Sequence, residues 1–234
     1  MGPLERPTLI TKNDLSTVFS QMKHEGVKII ENSASVGAEF ILHALIGYSK
    51  CKGIPLIIED IFDTLPVYLS HLELMGVSFE DSDIKVIKVG GSQEAGQVLA
   101  KIRFENDPTI YRRKVERELE KIIPEDNYIY LVLGLERLLS IQDDTHTIRV
   151  ILSSIKQNLS NERGMNVYLI EKPLIANLPF NPLPLLEDFA TSVLELTDEE
   201  GELIRIRLKK SRLTLLMHTG YLLISPREAL RWWE

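Results

Sequence analysis

The stretch "VKIIENSASVGAEFILHALIGYSK", residues 27–50, sets a β-branched run, a turn of small residues and one glycine ahead of a helical pattern. A strand, turn and helix in that order bring several backbone N–H groups to one point. A phosphate-binding loop uses this layout as G-x-x-x-x-G-K-[ST], with lysine supplying charge and serine or threonine holding Mg²⁺. Here Asn32 stands at the first glycine, Gly37 at the second, Ala38 at the lysine and Glu39 at the hydroxyl residue. The ionisable groups at this point are carboxylates. Glu31 ends the first apolar run, and Glu59 and Asp60 end the second, "IPLIIED". On the first turn of a helix Glu39 is favourable by ~0.3–1 kcal/mol and competes for the N–H groups that phosphate would take. A polyanion entering here meets several negative charges and no lysine.

Other chemistries have less support. The five histidines are His24, His43, His71, His146 and His218, and no two stand at the i, i+4 spacing of a helical zinc site. Cys51 is the single cysteine, which excludes a disulfide framework and a structural zinc site and suits a reducing compartment. If Glu31, Glu39, Glu59 and Asp60 converged, their oxygens would suit a hard divalent cation. There is no G-x-S-x-G elbow. The formal net charge is −7, so nothing in the bulk charge attracts nucleic acid or anionic lipid. The local run Arg112, Arg113, Lys114 is followed by acidic residues and reads as a solvated helix face. No apolar run spans a bilayer and the N-terminus lacks a signal-type core, so a cytoplasmic protein is expected.

The elements that position these residues follow from periodicity and punctuation. Helices are expected at 13–24, 36–50, 64–76, 108–122, 135–141, 144–161 and 184–189. In the second of these, Val36, Phe40, Ala44, Leu45 and Tyr48 form the apolar face. Strands are expected at 27–31, 54–60, 84–89, 96–104, 127–134 and 165–173. From about residue 190 the pattern changes to strands joined by short turns: "TSVLELTD", "GELIRIRLKK", "RLTLLMH" and "YLLIS". Alternation up to residue 175 predicts an α/β fold, a mostly parallel central sheet with helices on both faces. A C-terminal antiparallel β-meander over 176–225 extends one edge, and residues 226–234 form a terminal helix carrying Trp232 and Trp233, which pack it. One domain covers 1–234.

The strand, turn and helix followed by "PLIIEDIFDTLPVYLSHLELMGV" resemble the RecA/KaiC branch of P-loop ATPases. The chain as a whole resembles an archaeal group of proteins of unknown function that share this core. The resemblance implies that Glu59 and Asp60 match the acidic pair that polarises the attacking water, and that Gly76-Val77 matches a turn after the next helix. It places "YLVLG" at the metal-orienting strand, where Gly134 replaces the family's aspartate. Arg207 and Lys209 match a basic pair that reaches nucleotide bound by a neighbouring subunit. The motifs are degraded, and three readings stay open: a lost nucleotide site, a strand–turn–helix that never was one, and a working variant.

The lost site is the reading that Ala38, Glu39 and Gly134 favour. It makes the chain a non-catalytic interaction or assembly module with no cofactor and no bound metal. The alternative is a nucleotide- or divalent-metal-binding enzyme or switch at the acidic rim. Arg205, Arg207 and Lys209 alternate with Ile204, Ile206 and Leu208, giving a strand with one buried and one basic face. At a sheet edge it would accept a protein or peptide by β-augmentation. The resemblance also implies a homo-oligomer in which the acidic rim of one protomer receives this basic strand of the next.

Overall fold

The computed structural model describes residues 9–22, 26–105, 107–156, 163–211 and 221–233. Nine strands form one sheet: β1 (Val27–Asn32), β2 (Leu56–Ile61), β3 (Lys85–Val89), β4 (Gln97–Ile102), β5 (Tyr128–Leu133), β6 (Gly164–Glu171), β7 (Ser192–Glu199), β8 (Leu203–Lys210) and β9 (Leu222–Ile224). Their spatial order is β4-β3-β2-β5-β6-β1-β7-β8-β9. Strands β1 to β7 pair in parallel, and β8 and β9 are antiparallel additions. The expected α/β architecture is therefore present. The first strand of the C-terminal meander, β7, joins the parallel part by pairing with β1.

Both sheet faces are covered, which is why β1, β2 and β5 are buried at every residue and read as continuous apolar runs. One face carries α1 (Lys12–Met22), α2 (Gly37–Lys52), α3 (Thr64–Leu74) and the four-residue α9 (Pro226–Ala229). The other carries α4 (Pro108–Ile122), α5 (Leu135–Ser140), α6 (Thr145–Ile155), α7 (Lys172–Ile175) and α8 (Leu183–Phe189). Local chemistry sets several boundaries. Asp107 caps α4 by accepting from Thr109 N at 2.8 Å, with Pro108 in the first turn. Asp144 caps α6 by accepting from Thr147 N at 2.7 Å. Gly53, left-handed at φ 62°, closes α2.

Some expectations are corrected. Helix α6 ends at Ile155, and the last residues expected in it, 157–161, lie outside the described residues, as do residues 23–24 of the first expected helix and the whole of "RLTLLMH". Strand β6 stops at Glu171, because Lys172 and Pro173 open the short helix α7. Beyond Ala229 the chain continues in turns, so the terminal helix is one turn long. Helix α2 is amphipathic in sequence but buried at every residue from Gly37 to Ser49. Trp233 explains part of that: its ring lies so close to Gly47 that no side chain fits there.

Candidate functional site

The loop from β1 to α2 lies at the carboxyl ends of the strands, where this topology places ligands. Two of its backbone donors, the N–H groups of Ala34 and Ser35, are engaged by the chain's own side chains. Asn32, 2% exposed, accepts from Ala34 N at 3.1 Å and donates to Ala34 O at 3.1 Å, closing the turn on itself. The same amide donates to both oxygens of Glu171, at the end of β6, at 3.0 Å. Tyr68 of α3 donates to Glu171 at 2.9 Å. Ser35 donates its N–H to both oxygens of Asp198 at 3.1 Å and its hydroxyl to one of them at 2.7 Å. A carboxylate thus binds the loop N–H where an anionic ligand would.

Gly37 is required by this arrangement, since a Cβ there would collide with the Asn32 side chain. Ala38 is 1% exposed and belongs to the core under α2. Glu39 turns away from the loop N–H groups, its carboxylate 2.6 Å from His71 Nδ1 on α3. This corrects the expectation that Glu39 caps the helix: the group that engages the loop is Asp198. No side chain of Val36, the residue before α2, caps it either.

The acidic residues expected to form one rim are divided by the pleat. Glu59 and Asp60 are consecutive on β2, so their side chains leave opposite faces. Glu59 is fully buried on the α4 side, bound by Tyr111 at 2.9 Å, by Tyr130 and by Arg112 at 3.4 Å. Asp60 points toward α3, accepting from Leu65 N at 2.8 Å and from Lys88 at 3.2 Å. Lys88 also pairs with Asp63. Burial works against the Asp63 carboxylate, but Lys88 and the N–H groups of Ser92 and Gln93 hold it below the usual range. Glu31 faces the α8 side. Glu31, Glu39, Glu59 and Asp60 do not converge, and no group of three metal-ligating side chains forms among the described residues.

Gly134 sits at φ 84°, and a Cβ there would collide with the Ile61 carbonyl and the Thr64 hydroxyl. The acidic residue that does enter this region is Glu136, in the first turn of α5. It is 0% exposed, and neither oxygen has a hydrogen-bond partner among the described residues. Burial pushes its carboxyl up to about 7, with Glu171 adding to the shift. Burial also raises Glu171 despite its two donors.

The basic strand is committed within its own chain. Lys209 lies 2.9 Å from Glu31 and 2.6 Å from Glu187. Arg207 lies 3.6 Å from Glu195, and Arg205 pairs with Glu199. Strand β8 is interior, flanked by β7 and, at Ile204 to Ile206, by β9. It is not the edge that the alternation of basic residues suggested. Asp198, Tyr68 and Glu136 escaped sequence reasoning. Each is distant along the chain from the loop; Asp198 and Glu136 belong to no motif, and Tyr68, though inside the stretch 55–77, matches no functional position there.

Similarity to solved structures confirms the architecture. The chain is similar to a Pyrococcus horikoshii OT3 protein from a structural study, at TM-score 0.71 and 22% identity over 90% of this chain and 98% of that one. It is similar to a KaiC-like protein from the same organism, at 0.57 and 14% over 85% and 88%. An uncharacterised P. horikoshii protein, crystallised in complex with an unknown peptide, matches at 0.58 and 14% over 85% and 89%. The RecA/KaiC-like fold is thereby established. No curated protein matches the sequence. Residues 19–220 match the family described as "Pyrococcus protein of unknown function, DUF257", and with most of its length in that match the chain belongs to this archaeal family.

Proposed function

We propose that this chain is a non-catalytic member of the RecA/KaiC-like fold, a module that binds a protein or peptide segment and no nucleotide. The observation that carries the reading is the occupied loop. Asp198 holds the N–H of Ser35, and Asn32 holds that of Ala34. A nucleotide would have to displace a carboxylate, with Ala38 in place of the lysine. Donors that already have partners, one of them a carboxylate, gain little from exchanging them.

Beside the loop lies a groove of about 520 Å³, whose wall includes Val36, Met75, Val77, Leu203, Ile204 and Leu230. Its size is that of a ligand site, and its lining is mainly apolar. That a fold neighbour was crystallised with an unknown peptide supports a peptide as the occupant, its apolar side chains entering this groove. The sheet edges serve less well. Strand β4 has a register shift and carries Lys101, both of which blunt pairing, and β9 is bridged by Leu9.

Two measurements test the reading. Thermal melting with Mg-ATP, Mg-GTP and Mg²⁺ alone is expected to give no saturable rise, and such a rise would overturn it. Selection from a displayed peptide library is expected to enrich sequences whose binding is lost on Met75→Asp. Failure to enrich any, or indifference to that substitution, removes the peptide assignment.

A further inference from the structure

On the face opposite the loop, α4 and α6 enclose a cleft of about 480 Å³. It lies over the second core layer, far from the groove beside Val36. Its lining contains Arg112, Arg113 and Arg149, with His146, Ser153 and a single carboxylate, Glu116. We propose that this cleft binds a small phosphate-bearing anion, a phosphomonoester with a compact organic group.

Arg112 belongs to a run that the sequence presents as a solvated basic face. Its side chain is instead buried at the cleft floor, 8% exposed as a residue, because Glu59 holds its Nη1 from within at 3.4 Å. That ion pair fixes the guanidinium plane and leaves Nη2 3.8 Å from Glu116. Arg113 and Arg149 are exposed, come from the two facing helices and have no carboxylate partner among the described residues. Arg149 is held over the Phe180 ring at 5.5 Å, so its planar fork is oriented as well.

In a chain of net charge −7 such arginines usually pair with acids. Two guanidiniums without a carboxylate partner, lining the same cleft as a third, make a local field that favours an anion. Guanidinium forks match phosphate oxygens in pairs, and hydroxyl and imidazole donors complete a tetrahedral acceptor set. A carboxylate would use fewer of these donors. The volume exceeds that of inorganic phosphate and suits a small ester. The short rim and the negative charge of the remaining surface disfavour a polynucleotide, which needs an extended basic track.

The test is calorimetric titration of the full chain with phenyl phosphate, inorganic phosphate and a single-stranded oligonucleotide, at fixed ionic strength. Saturable binding of phenyl phosphate is expected. Arg113→Ala/Arg149→Ala is expected to weaken it roughly tenfold or more, since both charge-assisted contacts from the two helices are removed. Glu116→Gln, which removes the competing carboxylate and leaves all three arginines, is expected to strengthen it severalfold. Both changes are near the surface, and circular dichroism checks the fold. No saturable phenyl phosphate binding by the wild type overturns the proposal. So does binding indifferent to both variants, or binding of the oligonucleotide with the ester silent. None of these outcomes bears on whether the β1–α2 loop binds nucleotide.

Discussion

Asp198, near the end of β7, holds Ser35 through the N–H at 3.1 Å and the hydroxyl at 2.7 Å, across 163 residues of sequence. The contact ties the loop before α2 to the turn between β7 and β8. Both residues are exposed, so solvent screens much of its worth. Asp198→Ala is expected to cost about 1 kcal/mol in urea unfolding. Amide exchange should quicken at Ser35 and stay slow in β1 and β5. No loss of stability, or unchanged exchange at Ser35, would show that the contact does not anchor the loop.

Glu136 gives a pH dependence whose sign is fixed by burial. Its carboxyl is raised from 4.5 to about 7 in the folded chain. The folded state therefore keeps a proton that the unfolded state has released between these values. Stability is unaffected by this group below pH 4.5, falls as pH rises toward 7, and stays lowered above it. At roughly 1.4 kcal/mol per unit the full penalty is on the order of 3 kcal/mol. Glu136→Gln is expected to remove the decline, so that wild type and variant agree at pH 4 and diverge at pH 8. The charged groups acting on it are Glu171 and Arg137, and neither is changed by the substitution. Parallel stability curves for the two proteins would refute the assignment.

How far the sequence reveals this protein depends on whether a residue's partner is local. The parallel core was legible because strands such as "YIYLVL" are apolar at every position, as strands covered on both faces must be. Gly37, Ala38 and Gly134 were legible as departures from a spaced motif. The pairing of Asp198 with Ser35 was not, since nothing in "LTDEEG" marks one carboxylate as turned toward a distant loop. Glu59 and Asp60 read as one acidic pair, and only the pleat shows that they serve opposite faces. Arg112 reads as a surface residue because it opens a basic run followed by acidic residues on one helix. Its burial depends on a carboxylate 53 residues away. The terminal tryptophans were read as packing residues, and Trp233 does pack on the core, but its seat at Gly47 depends on how the C-terminus returns over α2.

Lys209 tests whether the basic strand stabilises this chain or joins two chains. Glu31 is 0% exposed, and burial, together with Glu187, raises its carboxyl above the usual range even with Lys209 beside it. Lys172 stands farther off at 3.5 Å. Removing Lys209 leaves a buried carboxylate with one distant partner, and Lys209→Met is expected to cost about 2–4 kcal/mol, near the range for breaking a buried pair. Adding Glu31→Gln should recover most of the loss. Sedimentation velocity of the folded single variant should match the wild type. An altered assembly state with unchanged stability would mean that Lys209 acts across an interface.

Restoring the missing loop residues is expected not to restore a nucleotide site. Ala38 lies 1% exposed among Ile41, Leu42 and Leu169 in one core, so a lysine there must force its stem into packed space. Overpacking of this kind costs about 1–3 kcal/mol. The obstacle does not end with Ala38. Asp198 still holds Ser35, Asn32 still closes the turn, and Glu171 still presents a carboxylate beside it. At position 134 an aspartate would need a left-handed backbone and would strike the Ile61 carbonyl. Ala38→Lys/Glu39→Thr is therefore expected to melt below the wild type and to show no rise with Mg-ATP. A ligand present at 100 times its Kd would add about 2.7 kcal/mol, well within reach of a melting experiment. If the double variant gained a saturable Mg-ATP shift, the lysine alone would have been the missing element. Asp198 and Asn32 would then be easily displaced, and the occupied loop would no longer support the proposal that the chain binds no nucleotide.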